Sequence, residues 1–252
     1  MSIKILLSIK LTFLFAFAND SDLQNIFDKY KINGTLILSS LNQDEVYIYN
    51  KERSTKRYLP ASTFKIINTL IALDEKAIKN EHEILKWDGI VRAYKPWNQN
   101  HTLESAFKVS CVWCFQKLAR KIGDKKYLEH LNKIKYGNMK TGKNPSNFWL
   151  SGDLRISALQ QIDFLKQIYL NNLHYSNKHL SILKNIMIVE QTSDYIFRAK
   201  SGWTKNIGWY VGYLQKEENV WFFALNMGIQ NPSDLKYRKS IVINALKKKN
   251  LL

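Results

Sequence analysis

Residues 58–65 read YLPASTFK, and they open a stretch whose apolar positions recur at the three-to-four spacing of a buried helix. Ser62 follows a proline at the expected start of this helix, where free backbone N–H groups and the helix dipole favour developing negative charge. Lys65 falls one turn later on the same face, within reach of the Ser62 hydroxyl. Because burial disfavours a charged lysine, Lys65 can act as the base that a serine nucleophile needs.

The S-x-x-K pattern alone is a weak signal, because it occurs four times in the chain. Of the four copies, only the one at Ser62 opens a long apolar helix. At the other three copies we interpret the pattern as an ordinary helix start with a lysine that snorkels to solvent. Those three copies begin at Ser105, Ser181 and Ser233.

The pattern around this stretch predicts an α+β fold. Residues 34–40 and 45–50 are β-rich and predict a hairpin, and strands return at residues 195–200, 209–214 and 220–227. Helical periodicity predicts helices at 61–73, 103–122, 126–134, 157–170 and 178–187, and a basic closing helix from Asp234. We therefore expect an antiparallel sheet built from both termini, with flanking helices and an inserted all-helical lobe. The cleft between lobe and sheet is the natural place for a site.

Composition favours one globular domain. The chain has 252 residues, of which 45% are hydrophobic, and this excludes a disordered or collagen-like protein. We expect a single domain over residues 19–252, with its sheet part at 19–60 and 190–252 and its lobe at 61–189. The net charge of +17 raises nucleic acid, anionic membranes and anionic small molecules as partners. Because the lysines are spread along the chain, we expect no nucleic-acid partner.

The first 18 residues have the pattern of a secretory signal peptide. Two lysines and no acid occupy residues 1–10, an apolar run follows, and Ala16-Phe17-Ala18 supplies the small residues that signal peptidase needs. This run is shorter than the ~20 apolar residues that span a bilayer. We expect cleavage after Ala18, a periplasmic protein and no stable membrane anchor.

Cys111 and Cys114 are the only cysteines, and they form a C-x-x-C pattern. In an exported protein this pattern is consistent with a redox pair, a disulfide or half a metal site. The surrounding helical periodicity does not suit a redox motif, which follows a strand. We therefore favour buried thiols or a local disulfide.

Further motifs carry little meaning singly but are informative together. In chain order, the motifs are Ser62-Thr63-Phe64-Lys65, Ser110-Cys111-Val112, Tyr136-Gly137-Asn138, Phe148-Trp149-Leu150 and Lys200-Ser201-Gly202. In this order and at these separations they resemble the class D (oxacillinase-type) serine β-lactamases of the penicillin-recognising family. The resemblance runs from about Gly34 to the closing helix, nearly the whole predicted mature chain.

The resemblance implies the catalytic residues. Ser62 is the acylated nucleophile, and Lys65 is the general base, carried in the family as an N-carboxylated lysine. Trp149 matches the indole that hydrogen-bonds this carbamate. Ser110 matches the hydroxyl that relays a proton to the leaving nitrogen, and Lys200 matches the lysine that supports this relay.

The resemblance also implies the residues that bind substrate. Ser201 and Arg238 match the pair that holds the substrate carboxylate, and Gly202 lets substrate approach the backbone. The backbone N–H groups of Ser62 and Trp203 form the oxyanion hole, a device worth ~3 kcal/mol or more per donor.

Val112 is expected to wall off the modified lysine, and Tyr136 is expected to support substrate binding with a less defined role. No cofactor is expected apart from the CO2 or bicarbonate that carboxylates Lys65, and no metal is expected. The histidines show no H-x-x-x-H or H-x-H spacing, since they stand at His82, His101, His130, His174 and His179.

The function implied is hydrolysis of the β-lactam amide bond of penicillin-type antibiotics, which confers resistance. Two alternatives stay open: a β-lactam sensor domain that is acylated without turnover, and a penicillin-binding transpeptidase or carboxypeptidase. The sequence leaves a monomer and a homodimer equally open.

Overall fold

A six-stranded antiparallel sheet forms the centre of the molecule, and two further short strands form a separate ladder. The computed structural model describes residues 20–42, 44–142, 144–217 and 219–252, so the predicted signal peptide lies outside the described residues. The strands are β1 Gly34–Ser40, β2 Val46–Tyr49, β3 Ile84–Leu85, β4 His101–Thr102, β5 Ile188–Gln191, β6 Ile196–Thr204, β7 Ile207–Lys216 and β8 Asn219–Gly228. The large sheet has the order β2-β1-β8-β7-β6-β5, and the ladder pairs β3 with β4.

Helices cover both faces of the sheet. They are α1 Ser21–Tyr30, α2 Lys51–Thr55, α3 Lys65–Asp74, α4 Leu103–Lys108, α5 Val112–Ile122, α6 Asp124–Lys133, α7 Ala158–Tyr169, α8 Asn177–Ile186 and α9 Tyr237–Lys248. The helices α1 and α9 pack together on one face, whereas α7 packs on β1 and β8 from the other side. Short 3₁₀ turns precede α3 and α9 and lie between β3 and β4.

Strand β7 illustrates how the sheet separates two hydrophobic cores. Trp209, Val211 and Tyr213 pack into the core shared with the helical lobe, whereas Tyr210 and Leu214 pack into the core under α1 and α9. Successive strand residues point to opposite faces, so alternation along one strand supplies both cores. A sheet buried on both faces gives the site a rigid platform.

The expected α+β fold is confirmed, with three differences in detail. The predicted helix over residues 103–122 is broken between α4 and α5, because Ser110 adopts a left-handed conformation with φ of 58°. The lobe is not entirely helical, since it contains the β3–β4 ladder. The helices α1 and α2 and the edge strand β5 have no counterpart among the predicted elements. Within the described ranges no helix combines the length and apolar character needed to cross a membrane.

Candidate active site

Ser62 lies on a single 3₁₀ turn, Ala61–Phe64, that leads directly into α3. Ala61 has a φ of 50°, a left-handed conformation that costs a non-glycine residue roughly 1–2 kcal/mol. The surrounding structure holds this turn: the Ala61 N–H donates to the Trp149 carbonyl at 3.0 Å, and the Gln161 side chain donates to the Thr63 hydroxyl at 2.9 Å. The nucleophile therefore sits on a strained but well-supported turn.

Lys65 is the first residue of α3, and its Nζ donates to the Ser62 Oγ at 2.8 Å. The side chain is fully buried, with Nζ 5.2 Å from the centre of the Phe115 ring. Burial, together with the nearby charge of Lys200, holds the pKa of Lys65 well below its ordinary value. No acid within the described residues forms a salt bridge with Lys65 to offset this shift. A neutral amine can therefore face the Ser62 hydroxyl.

Ser110 and Lys200 form a second serine–lysine pair. Ser110 stands in the break between α4 and α5, and the Lys200 Nζ donates to its Oγ at 3.0 Å and to the Ser201 carbonyl at 3.1 Å. Lys200 is 4% exposed, and burial, helped by the charge of Arg238, lowers its pKa to about 7. Because this pKa lies near neutrality, Lys200 can both hold and release a proton at physiological pH.

Gly202 allows strand β6 to lie against the nucleophile turn. A Cβ at this position would stand 3.0 Å from the Pro60 carbonyl oxygen and 3.1 Å from the Thr63 Cγ2. The sequence predicts that this glycine admits substrate to the backbone. The structure shows in addition that the missing side chain allows β6 to pack closely against the nucleophile turn.

Arg238, on α9, hydrogen-bonds the backbone of β6. Its Nη1 donates to the Gly202 carbonyl at 2.8 Å, and its Nε donates to the Leu235 carbonyl at 2.9 Å. The half-buried Ser201 directly precedes Gly202 on β6. A cavity of about 430 Å³, within the usual range for small-molecule pockets, includes Lys200, Ser201 and Tyr210 in its lining. The Lys200 amine and the Ser201 hydroxyl, groups suited to a carboxylate, thus line this cavity, whereas Arg238 and Ser62 are not among its lining residues.

Trp149 is fully buried and stacks on Phe64, with the ring centres 5.2 Å apart. Among the described residues its indole Nε1 has no hydrogen-bond partner. A buried donor without an acceptor costs free energy, so this indole suits an acceptor added within the site. Val112, also expected near the modified lysine, is half-buried at the start of α5 and directly follows the disulfide-bonded Cys111.

The structure places Tyr136, which is expected to support substrate binding, behind the nucleophile turn. Tyr136 is only 2% exposed, and its ring packs edge-on against Phe64 and Phe164. The side chain therefore supports the nucleophile turn from behind. Gly137, the next residue of the motif, has a φ of 57°, and a Cβ there would lie 2.2 Å from the Arg155 carbonyl oxygen. This position therefore requires glycine.

Cys111 and Cys114 form a disulfide, and both residues are fully buried. The Cys111 sulfur also accepts the Cys114 N–H at 3.2 Å and caps α5. The bond fixes the helix that begins two residues after Ser110.

Two residues that hold the site together are not predicted from the sequence. Gln161, buried on α7, donates to Thr63, while the Trp209 indole donates to the Leu59 carbonyl at 2.8 Å. Both contacts join elements about 100 residues or more apart in the chain, so no local motif carries them. For Gln161, the only signal in the sequence is that an uncharged polar residue stands on the apolar face of a predicted helix.

Comparison with known proteins agrees with this geometry. Residues 23–247 match the family described as "Penicillin binding protein transpeptidase domain". The chain is 40% identical over 230 residues to β-lactamase OXA-48 of Klebsiella pneumoniae, covering 90% of this chain and 87% of the relative.

Solved structures give the same result. The fold resembles the class D β-lactamase YbXI from Nostoc with a TM-score of 0.89 and 40% identity, covering 91% of this chain and 99% of that one. It resembles FUS-1 (OXA-85), a class D β-lactamase from Fusobacterium nucleatum subsp. polymorphum, with a TM-score of 0.90 and 34% identity, covering 93% and 100% of the two chains. The fold and the serine–lysine site thus define a penicillin-recognising serine enzyme. Within that family, the chain belongs to the class D β-lactamases.

Proposed function

We propose that this protein hydrolyses the β-lactam amide bond of penicillin-type antibiotics through an acyl-enzyme on Ser62, and thereby confers resistance to them. One observation carries the proposal: the fully buried Lys65 amine lies 2.8 Å from the Ser62 hydroxyl. A serine with a base at hydrogen-bond distance is the arrangement that nucleophilic catalysis needs.

Acylation begins when the base at Lys65 takes the proton of the Ser62 hydroxyl and the Oγ attacks the β-lactam carbonyl carbon. The backbone N–H groups of Ser62 and Trp203 stabilise the oxyanion. Arg238 and the Ser201 hydroxyl hold the substrate carboxylate, which orients the strained ring over Ser62. This placement supplies the orientation that makes attack effectively unimolecular.

Collapse of the tetrahedral species breaks the carbon–nitrogen bond, and the leaving nitrogen needs a proton. Ser110 donates its hydroxyl proton to that nitrogen and receives another from Lys200, whose Nζ lies 3.0 Å from the Ser110 Oγ. A pKa of about 7 makes this transfer from Lys200 easy near neutral pH.

The residues around Lys65 fit an N-carboxylated lysine. CO2 adds only to a neutral amine with loss of one proton, and burial favours that neutral form. The Trp149 indole, without a partner among the described residues, is the donor that would hold the added group. Once formed, the carbamate supplies an anionic oxygen base at this position.

Deacylation distinguishes a hydrolase from the two alternatives. A sensor domain would keep the acyl group on Ser62, and a transpeptidase would pass it to an amine of the cell wall. Similarity to proteins named class D β-lactamases along nearly the whole chain favours hydrolysis by water.

The residues before the catalytic domain support an exported enzyme. We propose that residues 1–18 direct the chain to the periplasm, where it would intercept β-lactams. Its proposed partner is the small-molecule substrate. Fractionation of cells expressing the chain tests this point: a mature form beginning after Ala18 in the periplasmic fraction is expected.

The central experiment mixes purified protein with a chromogenic β-lactam, with and without bicarbonate. Sustained turnover that increases with bicarbonate supports a hydrolase with a carboxylated base. A single burst equal to the enzyme concentration, with no further turnover, would overturn the hydrolase proposal and favour a sensor. Release of product only in the presence of an amine acceptor would instead identify a transpeptidase.

A further inference from the structure

A cluster of carboxylates and imidazoles lies at the C-terminal end of α3, the end opposite to Lys65. Asp74 is the last residue of α3 and Glu75 is its C-cap. The Nε2 of His130, from α6, lies 3.0 Å from the Glu75 Oε1. The Nδ1 of His179, from α8, lies 3.8 Å from the Asp74 Oδ1. Ligand-type atoms of Asp74, Glu75 and His130 all lie within 4.8 Å of one another.

The imidazole of His130 is held in place by its second nitrogen. Its Nδ1 lies 2.9 Å from the Tyr175 hydroxyl, and the two rings stack with their centres 5.6 Å apart. The His130 side chain is only 12% exposed, so the contact fixes a largely buried ring. Metal-binding histidines characteristically engage the other ring nitrogen in this way, which sets the ring orientation.

His179 supplies a further nitrogen with no hydrogen bond. Its Nδ1 is shielded from solvent and has no hydrogen-bond partner within the described part of the chain. The Asp74 Oδ1 lies 3.8 Å from this nitrogen. A buried ring nitrogen beside a carboxylate, without a hydrogen bond, is a free ligand atom at the edge of the cluster.

The charge of the cluster favours a cation. Two carboxylates stand at a helix C-terminus, where the unpaired carbonyl groups add partial negative charge. Zinc binds imidazole nitrogen and carboxylate oxygen at ~2.0–2.2 Å, so two ligands of one ion stand roughly 3–3.5 Å apart. The His130 Nε2 and the Glu75 Oε1, which share a hydrogen bond in this structure, are 3.0 Å apart, a separation that also fits two ligands of one ion. We propose that Asp74, Glu75 and His130 bind one divalent transition-metal ion, such as Zn²⁺. His179, whose Nδ1 lies 3.8 Å from Asp74 but outside the group of mutually close ligand atoms, would become a fourth ligand after a side-chain movement.

Lys126 is the group that competes with the metal. Its Nζ lies 3.4 Å from the Glu75 Oε1 and 3.5 Å from the Glu129 Oε2, and its side chain is 49% exposed. A half-exposed lysine can move toward Glu129 and solvent without burying a charge. Removal of this amine should therefore strengthen metal binding, whereas removal of a purely structural ion pair would have no such effect.

The site is remote from the reaction. Lys65 and Asp74 are the first and last of the ten residues of α3, about 13.5 Å apart along the helix axis. A bound ion would join α3, α6 and α8 and so stabilise the lobe, while leaving acylation of Ser62 unchanged. The ligands come from three helices, which is why short histidine spacings in the sequence give no sign of them.

The test is calorimetric titration of chelator-treated, purified protein with zinc chloride, followed by thermal unfolding with and without Zn²⁺. We expect one ion per chain and a melting temperature that rises with Zn²⁺ concentration. His130→Gln should weaken binding by at least tenfold, and Lys126→Ala should tighten it several-fold. His82→Gln is the matched control, because His82 is an exposed histidine 3.8 Å from the Glu81 carboxylate.

Two results would overturn the proposal. One is no saturable binding up to ~100 μM Zn²⁺ in the wild-type protein. The other is equal loss of affinity in His82→Gln and His130→Gln, which would indicate diffuse surface binding. If His130→Gln proves unstable, Glu75→Gln keeps the side-chain volume and tests the same site. The absorption of Co²⁺ substituted for Zn²⁺ gives a spectroscopic reading of bound nitrogen and oxygen ligands that a structural ion-pair network cannot produce.

Discussion

The Lys65 Nζ lies 2.8 Å from the Ser62 Oγ, and the lysine side chain is completely buried. The two residues are one helical turn apart, so the pairing is set by local backbone geometry. Packing of the lobe around Lys65, with the amine 5.2 Å from the centre of the Phe115 ring, lowers the pKa of the lysine and so favours the uncharged base. Local geometry thus supplies the contact, and tertiary packing supplies the reactivity.

Ser62→Ala removes the nucleophile and should lower β-lactam turnover by at least about 10,000-fold. No covalent adduct should appear by mass spectrometry after incubation with substrate. Ser181→Ala is the matched control, because Ser181 belongs to another S-x-x-K copy and lies exposed on α8. Full acylation of the Ser62→Ala variant would place the nucleophile elsewhere.

Trp149→Phe keeps an aromatic ring on Phe64 but removes the indole donor. If that donor holds a carbamate on Lys65, the variant should need at least tenfold more bicarbonate for half-maximal deacylation. Steady-state turnover at several bicarbonate concentrations measures this. Trp87→Phe, in a loop remote in sequence from the motifs, should leave the dependence unchanged. Equal bicarbonate dependence of wild type and Trp149→Phe would argue against this role of the indole.

Lys200 should make stability rise with pH above neutrality. Its pKa falls from the ordinary 10.5 to about 7 in the folded protein, so between these values the unfolded chain binds more protons. The free energy of unfolding should therefore increase with pH by up to about 1.4 kcal/mol per pH unit, an increase that Lys200→Met lacks.

Urea unfolding at pH 6, 7, 8 and 9 in CO2-free buffer compares the two proteins. Below pH 7 Lys200 is buried in its charged form in the folded wild-type protein. The wild type should therefore be least stable there relative to Lys200→Met. Lys205→Met removes an exposed lysine and should give a curve parallel to wild type. Parallel curves for Lys200→Met would mean that Lys200 stays charged throughout this range.

Gly202→Ala should separate β6 from the nucleophile turn, because the new Cβ would lie 3.0 Å from the Pro60 carbonyl oxygen. Displacement of the oxyanion donors by a fraction of an ångström to 1 Å should lower kcat/KM by about 100-fold. Gly228→Ala is the matched strand control, since its nearest contact would be an ordinary 3.5 Å to the Asn33 carbonyl oxygen. Similar activity in both variants would show that the approach of β6 is not critical.

Cys111→Ser combined with Cys114→Ser removes the disulfide beside Ser110. Loss of so short a closed loop should lower the free energy of unfolding by about 2 kcal/mol, measured by urea denaturation. A dithiol reductant should destabilise the wild-type protein under unfolding conditions but leave the double variant unaffected. If the reductant affects both proteins equally, the bond does not account for the difference.

The sequence predicted the fold where one physical signal dominated. Strand β1 lies at the predicted residues 34–40, because its apolar run is long and bounded by turn residues. The predicted helix over 103–122 failed at Ser110, since apolar periodicity continues across the break. The left-handed conformation there depends on tertiary contacts such as the Lys200–Ser110 hydrogen bond.

In the site, too, contacts between residues close in sequence could be predicted, whereas contacts between distant residues could not be predicted from local patterns. Ser62 and Lys65 could be paired from spacing and apolar context alone, because they share one helical turn. Partners brought together across the cleft, such as Ser110 and Lys200, could be named only through family resemblance. The buried position of Tyr136 follows from how three aromatic rings pack, which no linear pattern encodes.

The pairing of β1 with β8 has a consequence for biosynthesis. In this register Gly34 lies opposite Met227 and Ser40 opposite Trp221. The hairpin of β1 and β2 therefore cannot pair with the rest of the sheet until β8, the last strand, has been synthesised. A chain leaving the ribosome therefore carries an open, hydrophobic strand edge through nearly its whole synthesis. Folding of the sheet must wait for chain completion, and it is slow because the closing contacts are so distant in sequence. A truncation before β8 should yield an aggregation-prone polypeptide that needs a chaperone, even though Ser62 and Lys65 are both present.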